Sequence, residues 1–78
     1  MDLQEQLEDE LELYKLKFMF NTPPTLIMMH PNTWANLVHQ VVAKADNVFI
    51  NIHSGRLEYK TIPVYRSSEV EENLFIVA

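Results

Sequence analysis

The sequence predicts a small α+β domain in which two helices pack on a short mixed or antiparallel sheet. Three observations carry that expectation. Two segments, residues 1–20 and Pro31 to Ala45, repeat apolar residues at helical spacing. Short apolar or alternating runs lie at Leu26–Met29, Val48–Arg66 and Leu74–Val77, where strands are expected. Finally, the chain has 78 residues, is 47% hydrophobic and holds a single glycine, which suits one ordered domain (1–78) with little stability to spare.

The first helix is expected from Asp2 to about Phe18, because Leu3, Leu7, Leu11, Tyr14 and Phe18 fall three or four residues apart on one stripe. Asp2 and Glu5 stand at the end where a helix dipole favours negative charge, and Lys15 and Lys17 at the opposite end. Tyr14, Leu16, Phe18 and Phe20 also alternate, which would suit a strand, but the longer helical pattern outweighs them. Asn21-Thr22-Pro23-Pro24 stops the helix.

Residues 24–78 then read as a strand-helix-hairpin-strand core. Leu26 to Met29 form a continuous apolar run, the pattern of a strand covered on both faces. Pro31 ends it and suits the first position of a helix, since proline lacks the N–H that such a position leaves unpaired. His30 is the expected cap. Trp34, Leu37, Val38, Val41, Val42 and Ala45 keep to one side of the second helix, with Asn36, His39, Gln40 and Lys44 opposite.

Asp46-Asn47 is the expected stop of that helix. Val48, Ile50 and Ile52 alternate as a strand, Ser54-Gly55 suits a tight turn, and Leu57, Tyr59 and Thr61 continue as the returning strand. The alternation slips at Ile62 and Val64, and Pro63 cannot donate to a ladder, so a bulge, kink or edge position is expected there. Ser67 to Asn73 reads as a polar, acidic loop before a buried last strand at Leu74–Val77.

Composition excludes several classes of function. The net charge of −5 and only six Lys and Arg residues disfavour nucleic-acid binding, which depends on cations that displace phosphate counterions. No apolar run nears the roughly 20 residues that span a bilayer, and the acidic start does not resemble a signal peptide. The absence of cysteine removes disulfides and thiolate ligands and suits a reducing cytoplasm.

No cofactor, metal site or catalytic set is expected. His30, His39 and His53 match no metal-binding spacing. Ser54, Ser67 and Ser68 with a histidine and Asp46 supply the residue types of a hydrolase, but no Gly-x-Ser-x-Gly elbow holds a nucleophile. The lone glycine also excludes a glycine-rich phosphate cradle. Trp34, Met28 and Met29 are read as core.

The best interaction signal lies on the first helix. Leu13 and Leu16 project away from its apolar stripe, so they are the candidate protein-interface residues, for self-association into a homo-oligomer or for a second protein. Glu8 and Glu12, from the cluster Glu8-Asp9-Glu10-Glu12, join them as residues that steer a basic partner, although such clusters are most often a solvated helix face.

The apolar strand, His30-Pro31-x-x-Trp34-x-x-Leu37, the run Gly55 to Ser67 containing Leu57, Pro63 and Val64, and the closing Phe75-Ile76-Val77 together resemble the axial domain of tailed-phage major capsid proteins of the Hong Kong 97-type fold. The resemblance covers Pro24 to Ala78. Two departures stand out: Thr61 replaces a glycine common in that family, and the chain has no room for the extended loop, spine helix and peripheral strands of a shell subunit. What the resemblance implies is a small virion-associated or capsid-derived domain acting in assembly, in the host cytoplasm or the virion, without catalytic residues. A small acidic phage or bacterial regulatory protein that inhibits a host protein is the alternative.

Overall fold

Helix α1 spans Leu3–Lys17 and starts at Asp2, whose Oδ1 accepts the Glu5 N–H at 2.8 Å. This bond satisfies one of the donors that the first helical turn leaves free. The computed structural model describes residues 2–18, 22–44, 50–51 and 57–78, giving the backbone alone at 50–51. Leu3, Leu7 and Leu11 are buried as the spacing predicts, but the stripe leaves the core at its C-terminal end. Tyr14 is half-buried, and Phe18 is exposed beside it with ring centroids 4.6 Å apart. Residues 14–17 are helical, which removes the strand alternative over the described part of that segment.

Strand β1 covers Ile27–Met29 and passes through Pro31 into α2, Pro31–Ala43. His30 caps α2 as expected, with Nδ1 accepting the Asn32 N–H at 3.0 Å. Thr33, Trp34, Leu37 and Val41 are buried and Val38 packs beside them. Val42 is exposed, contrary to its expected place in the apolar stripe. It sits about 100° around the helix from Val41, beyond the reach of the sheet. Lys44 ends the helix, and the proposed stop at Asp46-Asn47 lies outside the described residues.

The remaining strands are β2 (Ile50–Asn51), β3 (Glu58–Tyr59), β4 (Ile62–Arg66) and β5 (Ile76–Val77). They assemble with β1 into one mixed sheet of order β2-β3-β4-β1-β5. Among the described residues only β1 and β4 run parallel, with Ile27 opposite Val64, and α2 lies on the connection that such a pair requires. The architecture is α+β, two helices packed on a small mixed sheet.

β2 and β3 pair antiparallel, Ile50 opposite Tyr59 and Asn51 opposite Glu58, as the expected hairpin requires, but the returning strand ends at Tyr59. Ser54-Gly55 and the rest of residues 52–56 lie outside the described residues, and the chain reverses again at Lys60-Thr61, between the paired residues Tyr59 and Ile62. Both central residues have positive φ, 51° and 69°, the signature of a type I′ turn. Thr61 therefore does not extend the returning strand. The slip in alternation marks two strands meeting at a two-residue turn, and the register runs on without a bulge. Pro63 belongs to an interior strand and sits where it is harmless. The neighbouring Val64 N–H donates to the Leu57 carbonyl at 2.8 Å, so the nitrogen of Pro63 faces the other side, one residue before the β1 ladder begins.

The acidic loop after β4 is tied down. Val70 is buried within it, and the Asn73 N–H donates at 2.8 Å to the hydroxyl of the buried Thr33 in the first turn of α2. The last strand is less buried than its apolar run suggests: Phe75 enters the core, whereas Leu74 and Ile76 are exposed, because among the described strands β5 is an edge strand bonded to β1 alone.

The core lies between the helices and one face of the sheet. Leu3, Leu7, Leu11, Trp34, Leu37 and Val41 from the helices meet Ile27, Met29, Tyr59, Val64 and Phe75 from below. Polar links close the margin of this layer. The Leu3 N–H donates to Gln40 Oε1 at 2.9 Å, and Lys44 pairs with Asp2 and donates to Gln4 Oε1 at 3.2 Å.

Candidate protein-contact surface

Side chains alternate across a strand, so each residue between two core positions must emerge on the second face of the sheet. Met28 does so between Ile27 and Met29, and Pro63 and Tyr65 do so on either side of Val64. The register then joins them. Met28 lies opposite Tyr65 on β4 and opposite Ile76 on β5, which makes one cross-strand row on the face away from the helices. Tyr65 is 57% exposed and Ile76 44%. Met28 is half-buried there and no described helix lies over it, so among the described residues Leu26–Met29 lacks the second covering layer that its continuous apolar run suggests.

A second bare region adjoins the edge strand. Leu13 and Leu16 are 58% and 54% exposed, as their departure from the α1 stripe predicts. Glu10, Leu13, Tyr14 and Lys17, one face of α1 at helical spacing, line a shallow depression together with Val77 of β5. The exposed apolar surface thus runs from the C-terminal half of α1 to the edge of the sheet.

The acidic residues divide. Glu12 is exposed. Glu8 is turned toward the sheet, where its Oε1 accepts the hydroxyl proton of the fully buried Tyr59 at 3.2 Å and its carboxylate pairs with Lys60. Gln4 completes this link by donating to the same hydroxyl at 3.3 Å. Charge steering by the Glu8–Glu12 cluster therefore falls mainly to its other members.

His30 is occupied as a helix cap, and His39 lies in a polar depression with Asp2, Gln6, Asn36, Gln40 and Asn73. His53, Ser54 and Asp46 lie outside the described residues. Ser67 accepts the Glu69 N–H at 3.2 Å in a local turn. No group of three His, Asp or Glu side chains suited to a metal forms among the described residues, and no described helix is long and apolar enough to cross a membrane. Asp2 has a lowered pKa, caused first by its bond to Lys44 and then by the Glu5 N–H, which marks a structural cap.

Comparison of the chain with protein-family models, curated proteins and solved structures finds no match. The surface must therefore be read on its own chemistry. Sequence reasoning located Leu13 and Leu16 but missed the Met28-Tyr65-Ile76 row, whose signal was the outward parity of Tyr65 next to Val64.

Proposed function

We propose that this chain works by protein contact, as a structural or assembly component of a tailed-phage or prophage particle. The observation that carries the contact reading is the Met28-Tyr65-Ile76 row, with Met28 half-buried between the exposed Tyr65 and Ile76, an apolar strip that the described helices do not cover. Tyrosine at the centre of such a strip suits an interface, since its ring supplies rigid apolar area and its hydroxyl tolerates water before docking. The particle setting rests on the resemblance of residues 24–78 to the axial domain of phage capsid proteins. Supporting it, Thr61 holds φ of 69° where that family commonly has glycine, so the backbone takes the glycine-type conformation despite the substitution.

The test is association with particles. Produced together with the structural proteins of the phage or prophage that encodes it, the chain is expected to co-sediment with purified particles. Tyr65→Lys, and separately Leu13→Lys with Leu16→Lys, should reduce that association several-fold while leaving far-ultraviolet circular dichroism unchanged. Particles of normal yield that never carry the chain would overturn the reading.

A further inference from the structure

The edge of the sheet at β5 supplies a more specific contact. Leu26 and Ala78 exchange both backbone hydrogen bonds, each 3.0 Å, so Ile76 and Ala78 point their amide groups at β1. In an antiparallel ladder the intervening residues face the opposite way, which leaves the N–H and C=O of Phe75 and Val77 directed off the edge. Proteins usually guard such an edge with lysine, proline or a bulge, and Phe75-Ile76-Val77-Ala78 carries none of them.

The helix face beside this edge has a self-complementary charge pattern. Glu10 and Lys17 stand at the two ends of the Glu10-Leu13-Tyr14-Lys17 face, with the exposed Leu13 between them and Val77 below. Neither Glu10 nor Lys17 forms an ion pair with another described residue. Opposite charges flanking an apolar centre match the same surface turned through a half rotation, as a twofold interface requires.

We infer that a second copy of this chain docks on the β5 edge about a twofold axis, pairing the two β5 strands antiparallel and extending the sheet from five strands to ten. Val77 of each copy exchanges backbone hydrogen bonds with Phe75 of the other, and the two Ile76 side chains meet on the open face. Across the same axis the α1 helices run antiparallel, with Leu13 packed centrally and each Glu10 opposite the other copy's Lys17. The inference rests on the reading of the chain as a protein-contact module and names its first partner.

Charge reversal tests the geometry without touching the core. Sedimentation equilibrium of the purified chain on the order of 100 µM is expected to give twice the 9.2 kDa chain mass. Glu10→Lys alone or Lys17→Glu alone sets like charges across the axis and should weaken the dimer at least about tenfold. The double variant Glu10→Lys with Lys17→Glu should restore it. Since the chain has no cysteine, Ile76→Cys should also yield a disulfide-linked dimer in air, whereas Tyr65→Cys, further from the axis, should not. A monomer at that concentration, or a dimer indifferent to the single reversals, overturns the inference. Particle association that persists in either case would leave the broader contact reading standing.

Discussion

The two faces of the sheet are made from the same kinds of residue and meet different fates. On the face under the helices, Ile27, Met29 and Tyr59 are fully buried and Val64 and Phe75 nearly so; on the other, Met28, Tyr65 and Ile76 form an equally apolar row with no cover from the helices. A strand interior specifies apolar residues wherever water is to be excluded, regardless of which molecule excludes it. The continuous run Leu26–Met29 is therefore the sequence of a doubly covered strand whose second face no described helix covers. That mismatch is the strongest pointer to a partner in the molecule.

The largest expected effect tests whether the faces differ energetically. Ile27→Ala on the covered face should destabilise the isolated chain by about 2–5 kcal/mol, since it removes transfer energy and leaves a cavity in the core cluster to which Ile27 belongs. Tyr65→Ser, on a paired strand but the open face, should change stability by less than about 1 kcal/mol. Thermal melts of the two variants at low concentration decide the matter. In a domain of this size about 1 kcal/mol corresponds to a shift of about 4–8 °C, so the two outcomes are well separated. Equal losses would mean that the open face is held by the chain itself.

A smaller effect is expected at the turn that joins β3 to β4. Thr61 is β-branched and sits at φ 69°, a region that disfavours any residue with a Cβ and a branched one most. Thr61→Gly should therefore stabilise the chain by about 1 kcal/mol, with Lys60 and its ion pair to Glu8 left in place. A denaturation midpoint that falls would show that the Thr61 hydroxyl, which donates to the Lys60 carbonyl, outweighs the backbone strain.

This turn also shows where the sequence stopped being legible. The proline-started helix with its histidine cap, the β1 strand and the first two turns of α1 were readable, because capping chemistry and apolar periodicity are local properties. Lys60-Thr61 was not, since neither residue is a turn former of this type and the reversal is imposed by the pairing of Tyr59 with Ile62. Tyr59 was placed on a strand, but its hydroxyl's bonds to Gln4 and Glu8 join residues more than 50 positions apart and leave no local trace. Val70 hides for the opposite reason: one apolar residue in an acidic loop has no periodicity to announce its burial. The contact surface was half legible, because Leu13 and Leu16 break a helical pattern while Met28 and Ile76 complete strand patterns.

The smallest effect concerns how the helix layer is fastened over its face. Asp2 caps α1 and pairs with Lys44 across to the end of α2, and these contacts hold its carboxyl below the ordinary value of 3.8. A carboxyl with a lower pKa folded than unfolded stabilises the fold while it is charged, above roughly pH 4, and the contribution fades as the pH drops through the lowered folded value. Asp2→Asn keeps a competent helix cap but removes the charge. The variant should melt slightly below the parent at pH 7, and the gap should narrow progressively as the pH falls through the lowered folded value, where the parent carboxyl is itself neutralised. Both groups of the pair are partly exposed, so screening keeps the gap small, and added salt should narrow it at pH 7. A gap that persists unchanged at acid pH would assign the difference to capping geometry, and the fastening of α1 to α2 would then owe nothing to the Asp2–Lys44 charge pair.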